Sequence, residues 1–476
     1  MPRFLSDRNQ QNGFHITGVI LSLLVTIFMV RYLLKHFRPQ FVLFAGGLLL
    51  LFAAIVMQQL GLIDAAGILP KKVASTGWVG FDPFKCVSSI MSSRVAGLGL
   101  IIMSAAGYSK YMSMIGASAR MADVMSRPLR LLNSPYLVLA LSYIVGQLMN
   151  IFIPSASGLA LLLMVTMYPV LVKLGVSPLS AAALIATSGC LDLGPASGNA
   201  NLAAKFGGMD TMTYFVDYQI PISLVVAATI AVLHYFTQRW FDKKDGEKAW
   251  QIDGGNAHED IDFKGAPAFY MVLPMIPLIL LFVFSKFVVT GIKLDVPTAM
   301  FLSFTLAVIL ECFRHPAKEV LDKAIEFFDS MGKQFARVVT LVVAGEIFAQ
   351  GLMATGTVAY LIDVTKGLGL SGALIMVVMT LFITIISIVM GSGNAPFFAF
   401  APLVPDFARE FGVSTILLIL PMQFATSLGR TVSPITGVIV AVAGCAGISP
   451  FEIVRRTAIP MAGALVATIV ATMILV

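Results

Sequence analysis

The stretch "ATSGCLDLGPASG", Ala186 to Gly198, places a charge and four helix breakers inside an apolar run. Asp192 lies at its centre, and Gly189, Gly194, Pro195 and Gly198 interrupt any helix through it. The surrounding chain makes this unusual. Of 476 residues, 58% are hydrophobic and 12% charged, with a mean hydropathy of +0.90. A soluble domain carries about 25% charged residues, and here the apolar residues fall in long runs. The composition predicts an all-α polytopic membrane protein, in which about 20 apolar residues cross the bilayer as one helix.

Working outward, the same pattern recurs 239 residues later as "ATSLGRTVSPITG", Ala425 to Gly437. Ala, Thr and Ser match at the start, Pro195 matches Pro434, Ser197 matches Thr436, and Gly198 matches Gly437. Upstream, "KLGVS" (Lys173–Ser177) corresponds to "EFGVS" (Glu410–Ser414), and "IPSASG" (Ile153–Gly158) to "GSGNAP" (Gly391–Pro396). The pair Arg94-Val95 recurs as Arg337-Val338. Several matches in one order at nearly one offset indicate a duplicated half. With five spans per half, the second copy enters the membrane inverted, the inverted-topology repeat of many secondary transporters.

Full spans are expected near 15–34, 40–60, 92–115, 179–205, 212–237, 267–289, 296–313, 336–356, 415–443 and 456–476. Of these, 179–205 and 415–443 are broken helices. Two centrally interrupted stretches, 134–172 and 371–408, read as re-entrant hairpins. The first repeat is thus 1–238, the linker 239–266 and the second repeat 267–476. The linker, "RWFDKKDGEKAWQIDGGNAHEDIDFK" at its core, reads as a solvated connection. Lys and Arg concentrate on its side of the chain: Arg31, Lys35 and Arg38; Arg120, Arg127 and Arg130; Arg314 through Arg337; Arg455 and Arg456. The positive-inside rule therefore places the linker in the cytoplasm and both termini outside. No cleavable leader pattern is evident, and the run Ile16–Val30 reads as a retained span.

The breakers have a physical purpose. Non-helical backbone is tolerated at membrane depth only where protein or a water-filled cavity satisfies it. Four breaks are expected, at Pro154–Gly158, Asp192–Asn201, Gly391–Pro396 and Gly429–Gly437, each rich in hydroxyls, amides and glycine. Free N–H groups at half-helix N-termini favour anions. The alternative is a set of kinked helices whose small residues allow close packing. Asp192 and Arg430 occupy near-equivalent places in the two broken helices. Asp192 suits a coupling ion, a proton or a structural pair, and Arg430 offers a planar fork to a carboxylate. Glu346 is a third membrane-depth charge, suited to an interhelical hydrogen bond.

The net charge of +7 follows from topology and gives no sign of nucleic-acid binding. Cys86, Cys190, Cys312 and Cys445 are far apart and read as small packing residues, with no metal or disulfide pattern. No phosphate-binding loop, H-E-x-x-H or catalytic carboxylate pair is present, so neither an enzyme nor an ATP-driven pump is supported. An anion channel or a membrane enzyme remains the reading from another class.

The segments "IPSASG…ATSGCLDLGPASGNAN" and "GSGNAPFFAFAPLVP…TSLGRTVSPITGVIVAVAGCAG" resemble the C-type anaerobic C4-dicarboxylate transporter family (DcuC-type), over nearly the whole chain. The resemblance implies a bacterial inner-membrane carrier of succinate, fumarate, malate and similar dianions, by uptake, exchange or efflux. It also implies a homodimer, elevator-like movement and no cofactor beyond a coupling ion, Na+ or H+. The substrate ligands it implies are Ser155, Ser157, Ser197, Asn199, Ser392, Asn394, Ser433 and Thr436, to which Arg430 is added on physical grounds. The Ser-Asn-Thr signature of other branches of the superfamily is absent in literal form. Citrate, a sugar acid or an amino acid are the alternative cargoes.

Overall fold

In hydrocarbon no water satisfies the backbone, so an apolar run closes its hydrogen bonds within a helix. The computed structural model describes residues 2–35, 37–63, 67–70, 73–132, 134–250, 265–369 and 371–476, and every regular element among them is helical. Helices α1 (Pro2–Leu34) and α2 (Pro39–Gln59) precede a long α3 (Asp82–Met114) and a short α4 (Ala117–Ser126). Next, α5 (Pro135–Phe152) turns back into α6 (Ala156–Thr166) and α7 (Tyr168–Lys173). Helix α8 (Pro178–Thr187) stops, α9 (Gly198–Phe206) resumes after the break, and α10 (Thr211–Asp245) completes the half.

The second ten helices repeat the first ten in order. They are α11 (Ala268–Val283), α12 (Val296–Cys312), α13 (Ala317–Ala354), α14 (Thr357–Gly367), α15 (Gly372–Met390), α16 (Asn394–Phe400), α17 (Val404–Phe411), α18 (Thr415–Arg430), α19 (Gly437–Ala446) and α20 (Pro450–Leu475). The correspondence extends to detail. α3 and α13 each contain a π-helical turn, Val95–Gly99 and Phe335–Val339. Each is followed by a left-handed glycine, Gly116 (φ 76°) or Gly356 (φ 74°), that starts the next short helix. Both pairs are 240 residues apart, so the Arg-Val pairs noted in the sequence lie three residues out of register with the fold.

Among the described residues seven helices are long and apolar enough to cross a membrane. Five coincide with expected spans; the other two are the first hairpin arms, α5 and α15, which are long enough to cross alone. The hairpins are therefore uneven, with their returning arms divided into shorter helices. α3 begins ten residues before the expected span and α13 nineteen. The first 18 residues of α13 are amphipathic, burying Val320, Ala324 and Phe327 while carrying charge elsewhere, and that charge hides the helix from a hydropathy reading.

The expected linker is also shorter. Arg239–Asp245 continues α10, and 251–264 lies outside the described residues. Asp242 accepts from the Nη1 of fully buried Arg456 at 2.7 Å, and Asp245 from its Nη2 at 2.7 Å. Arg456 is thus a buried partner within α20, whereas the sequence places it in a solvent connection. Glu346 of α13 pairs with Arg94 of α3, an interhelical role as expected.

The helices pack as two groups. α2 lies on α13, α3 on α13 and α12, and α4 on α11. Separately, α10 packs on α20 and α5, α15 on α18, and α19 on α6 and α8. The second group contains both hairpins and both broken helices. Where the groups meet, α13 lies against α16, and Gly345 makes this possible: a Cβ there would be 2.7 Å from the backbone of Phe398.

Candidate functional site

Break edges follow from capping. Ser155 Oγ accepts from Gly158 N at 3.1 Å and Ser197 Oγ from Ala200 N at 3.3 Å, so each hydroxyl nucleates the helix after it. Consequently Ser157 and Asn199 stand in first helical turns, and Asn394 opens α16 after Gly393 without a side-chain cap, although the sequence reading places all three within the breaks. The first break is Ser188–Ser197 and the second Thr431–Thr436. Arg430 ends α18 as its last helical residue.

Asp192 is the only non-glycine with left-handed φ (53°) among the described residues. Aspartate adopts this region more readily than most residues. The other half of the chain holds it there. Gln423 Nε2 donates to its carbonyl at 3.2 Å, and Ser427 Oγ to its Oδ2 at 2.9 Å. Asn199 Nδ2 donates to the same Oδ2 at 2.7 Å and to Asn394 Oδ1 at 3.1 Å. The two asparagines of opposite repeats therefore meet, as the repeat alignment requires. Arg430 Nη2 donates to Gly189 O at 3.0 Å and lies 3.5 Å from Asp192 Oδ1.

Behind this cluster lies a fully buried amide chain absent from the sequence reading. Gln423 Oε1 accepts from Tyr214 Oη at 2.7 Å and from Gln219 Nε2 at 2.9 Å. Gly194 N in turn donates to Gln219 Oε1 at 3.2 Å. The one available signal was glutamine within apolar runs, since a polar side chain at membrane depth needs partners.

In front lies a cavity of about 630 Å3, within the range of small-molecule sites. Ser155, Ser197, Asn199, Asn394, Arg430 and Asp192 all line it. A smaller lobe of about 250 Å3 shares Ser155, Asn394 and Arg430 and adds Ser157, Ser392 and Thr436. Thr436 Oγ1 donates to Gly391 O at 2.5 Å, tying the second break to the second hairpin tip. Ser433 is fully buried and lines neither space; its Oγ has no partner among the described residues. Two atoms of the cluster are also buried and have no partner among the described residues, Asn199 Oδ1 and Arg430 Nε. Leaving such groups unpaired costs about 1–3 kcal/mol each.

The cavity is more cationic than the sequence reading expects. Lys110, Lys333 and Arg337 line it together with Arg430, against the single carboxylate of Asp192. The count of Lys and Arg places Lys333 and Arg337 in a connection between spans, whereas α13 carries both. A space with this charge and these donors suits an anion with more than one negative charge.

A sequence profile of the C4-dicarboxylate anaerobic carrier family, DcuC, matches residues 17–476. The Anaerobic C4-dicarboxylate transporter DcuC of Escherichia coli K12 is 36% identical over 463 residues, covering 96% of each chain. The Probable anaerobic C4-dicarboxylate transporter DcuC of Vibrio cholerae is 35% identical over 460 residues, covering 96% of this chain and 98% of its own. Among solved structures, the YdaH transporter of Alcanivorax borkumensis aligns with a TM-score of 0.62 at 13% identity, covering 91% of this chain and 98% of that one, which is a likeness of fold. On this evidence, with its helices arranged for a membrane and its cavity at the meeting of four breaks, the chain belongs to the DcuC family of C4-dicarboxylate anaerobic carriers.

Proposed function

We propose that this multi-pass inner-membrane protein is a secondary carrier of C4-dicarboxylates such as succinate, fumarate and malate, working by exchange, uptake or efflux. The observation that carries the reading is the convergence of Arg430, Asn199 and Asn394 on one cavity with a cationic excess. Arg430 presents a planar fork to one carboxylate, the N-terminus of α9 adds backbone donors, and Ser155 and Ser197 add hydroxyls. Ser157, Ser392 and Thr436 serve the neighbouring lobe. Asp192 aligns these donors and is the place where a coupling Na+ or H+ would act.

Alternating access by an elevator movement is supported by the packing: all four breaks belong to one helix group, which meets the other across the glycine contact at Gly345. The inverted repeat relates the two ends of the path. Assembly as a homodimer is supported by the family resemblance alone.

Succinate counterflow in proteoliposomes tests the function. The expected result is saturable exchange, inhibited by fumarate and malate more strongly than by citrate, a sugar acid or an amino acid. Non-saturable flux would favour the channel reading, and a different order of competitors would replace the cargo. Repeating the assay with imposed sodium and proton gradients identifies the coupling ion.

A further inference from the structure

Two crevices flank the N-terminus of α9. Ala196, Ser197 and Asn199 face the 630 Å3 cavity, whereas Pro195 and Asn201 face a second crevice of about 850 Å3. The first reaches the C-terminal end of α3 at Lys110 and Ser113, whereas the second lies beside its middle at Gly97 and Leu98 and is closed by Thr211 and Leu281, at the ends of α10 and α11 away from the linker. Gly97 and Lys110 are roughly 20 Å apart along the helix at 1.5 Å per residue. The end carrying Lys110 leads into α4, whose Arg120 donates to Ala266 O at the linker's end. The first cavity thus opens toward the linker side.

The cation content of the two crevices differs. Besides Arg430 and Asp192 at its floor, the linker-side cavity holds Lys110, Lys333 and Arg337 with no further acid. None of the three has a side-chain partner among the described residues, and all three are exposed. The opposite crevice holds Lys205, Lys286 and Lys293 with Asp210 and Asp295, and Lys286 is engaged by Asp217 at 2.7 Å. The fold's own repeat shows where the difference arises. At the 240-residue offset of the π-turns, Lys333, Arg337 and Lys110 correspond to Ser93, Gly97 and Gln350. At each position only one of the two copies carries charge: the second at Lys333 and Arg337, the first at Lys110.

We propose that Lys110, Lys333 and Arg337 form an electrostatic vestibule on the linker side alone, which concentrates dianions at that mouth and makes the carrier kinetically asymmetric. The inference rests on the dianion-carrier reading above. Clefts lined by one sign of charge raise local counter-ion concentration by about 10- to 1000-fold, and the effect falls with ionic strength. The three side chains sit on the helix group without breaks, so they attend the mouth rather than travel with the cluster at Arg430. They act on capture, and they favour divalent over monovalent acids because the attraction scales with charge.

The test compares succinate exchange from the two faces, in intact cells and inverted vesicles. A cysteine introduced into the linker reports by impermeant labelling which face is exposed. Lys110→Gln, Lys333→Gln and Arg337→Gln are studied singly and together, with Lys110→Arg and Lys333→Arg as charge-keeping controls for folding. The triple variant is expected to raise KM from the linker face about tenfold at low salt, to lose most of its salt dependence there, and to keep the wild-type KM from the opposite face. The arginine variants should resemble wild type. An equal KM rise on both faces, or none on either, overturns the vestibule. Absence of succinate exchange in the wild type would instead overturn the dianion-carrier reading.

Discussion

The two broken helices share one sequence pattern and differ in how they are held. The first break, Ser188–Ser197, is clamped throughout: Gln423 and Ser427 hold Asp192, Gln219 holds Gly194 N, and Asn201 Nδ2 donates to the carbonyls of Pro195 and Ser197, each at 2.7 Å. The second break, Thr431–Thr436, has fewer ties, chiefly Thr436 to Gly391 O and Thr457 to Thr431 O, with Ser433 left unpartnered. The first carries the acid and the second follows the base. The contrast teaches that one break is a preorganised frame, while the other supplies a cation whose Nε is still without a partner.

The frame is the place to break this contrast hardest. Asp192→Ala removes the acceptor of Ser427 and Asn199 and leaves Arg430 as a buried charge without its counter-ion. A loss of about 3–5 kcal/mol in unfolding free energy is expected. Asp192→Asn keeps the left-handed residue preference and the acceptor oxygen, so its loss should be smaller. Chemical denaturation in detergent measures both, and equal losses would mean that the charge alone, not backbone conformation or the acceptor oxygen, decides the site. Gln423→Ala comes next, because it strips partners from Tyr214 and Gln219 within the same frame. It should cost about 1–3 kcal/mol.

In the second break the same class of change should matter less. Thr436→Val deletes one hydrogen bond to Gly391 O, for about 1 kcal/mol. A larger effect there than in Gln423→Ala would erase the distinction between frame and supplier. An exposed pair outside both breaks gives the baseline. Lys366 lies 2.6 Å from Glu410 and holds that carboxyl below the usual range through its hydrogen bond. A depressed carboxylate pKa favours the folded pair at neutral pH, and the contribution fades as pH falls through the folded pKa. Lys366→Gln should leave the unfolding midpoint at pH 7 unchanged within error, since solvent screens such pairs.

The sequence made the breaks legible because Gly and Pro inside apolar runs have no other use at membrane depth. It brought Asn199 to Asn394 because the repeat alignment carries spatial information. It puts the first break four residues too late, at Asp192–Asn201 instead of Ser188–Ser197, and at the later edge the reason is that a serine that caps a helix looks the same in a sequence as a serine in a loop. Gln423, Gln219 and Tyr214 escaped notice because a buried polar network has no fixed spacing along the chain. Lys333, Arg337 and Arg456 are hidden in the sequence for a different reason. Counting Lys and Arg for topology absorbs every cation near a span end, and an amphipathic extension such as Ala317–Gln334 hides the true end of the span. Arg456, fully buried between Asp242 and Asp245, shows how far that counting can mislead.

The central claim is that Arg430 meets a substrate carboxylate rather than serving only as Asp192's partner. Succinate binding to purified protein, measured by calorimetry for wild type, Arg430→Lys, Arg430→Gln, Asp192→Asn and the Asp192→Asn/Arg430→Gln double variant, tests it most directly. Tight binding by wild type and weakened binding by Arg430→Lys, which lacks the bidentate fork, are the expected results. Binding should be lost in Arg430→Gln and still absent in the double variant. Recovery of wild-type affinity in the double variant, where no unpaired buried charge remains, would contradict the claim and reduce the pair to structure.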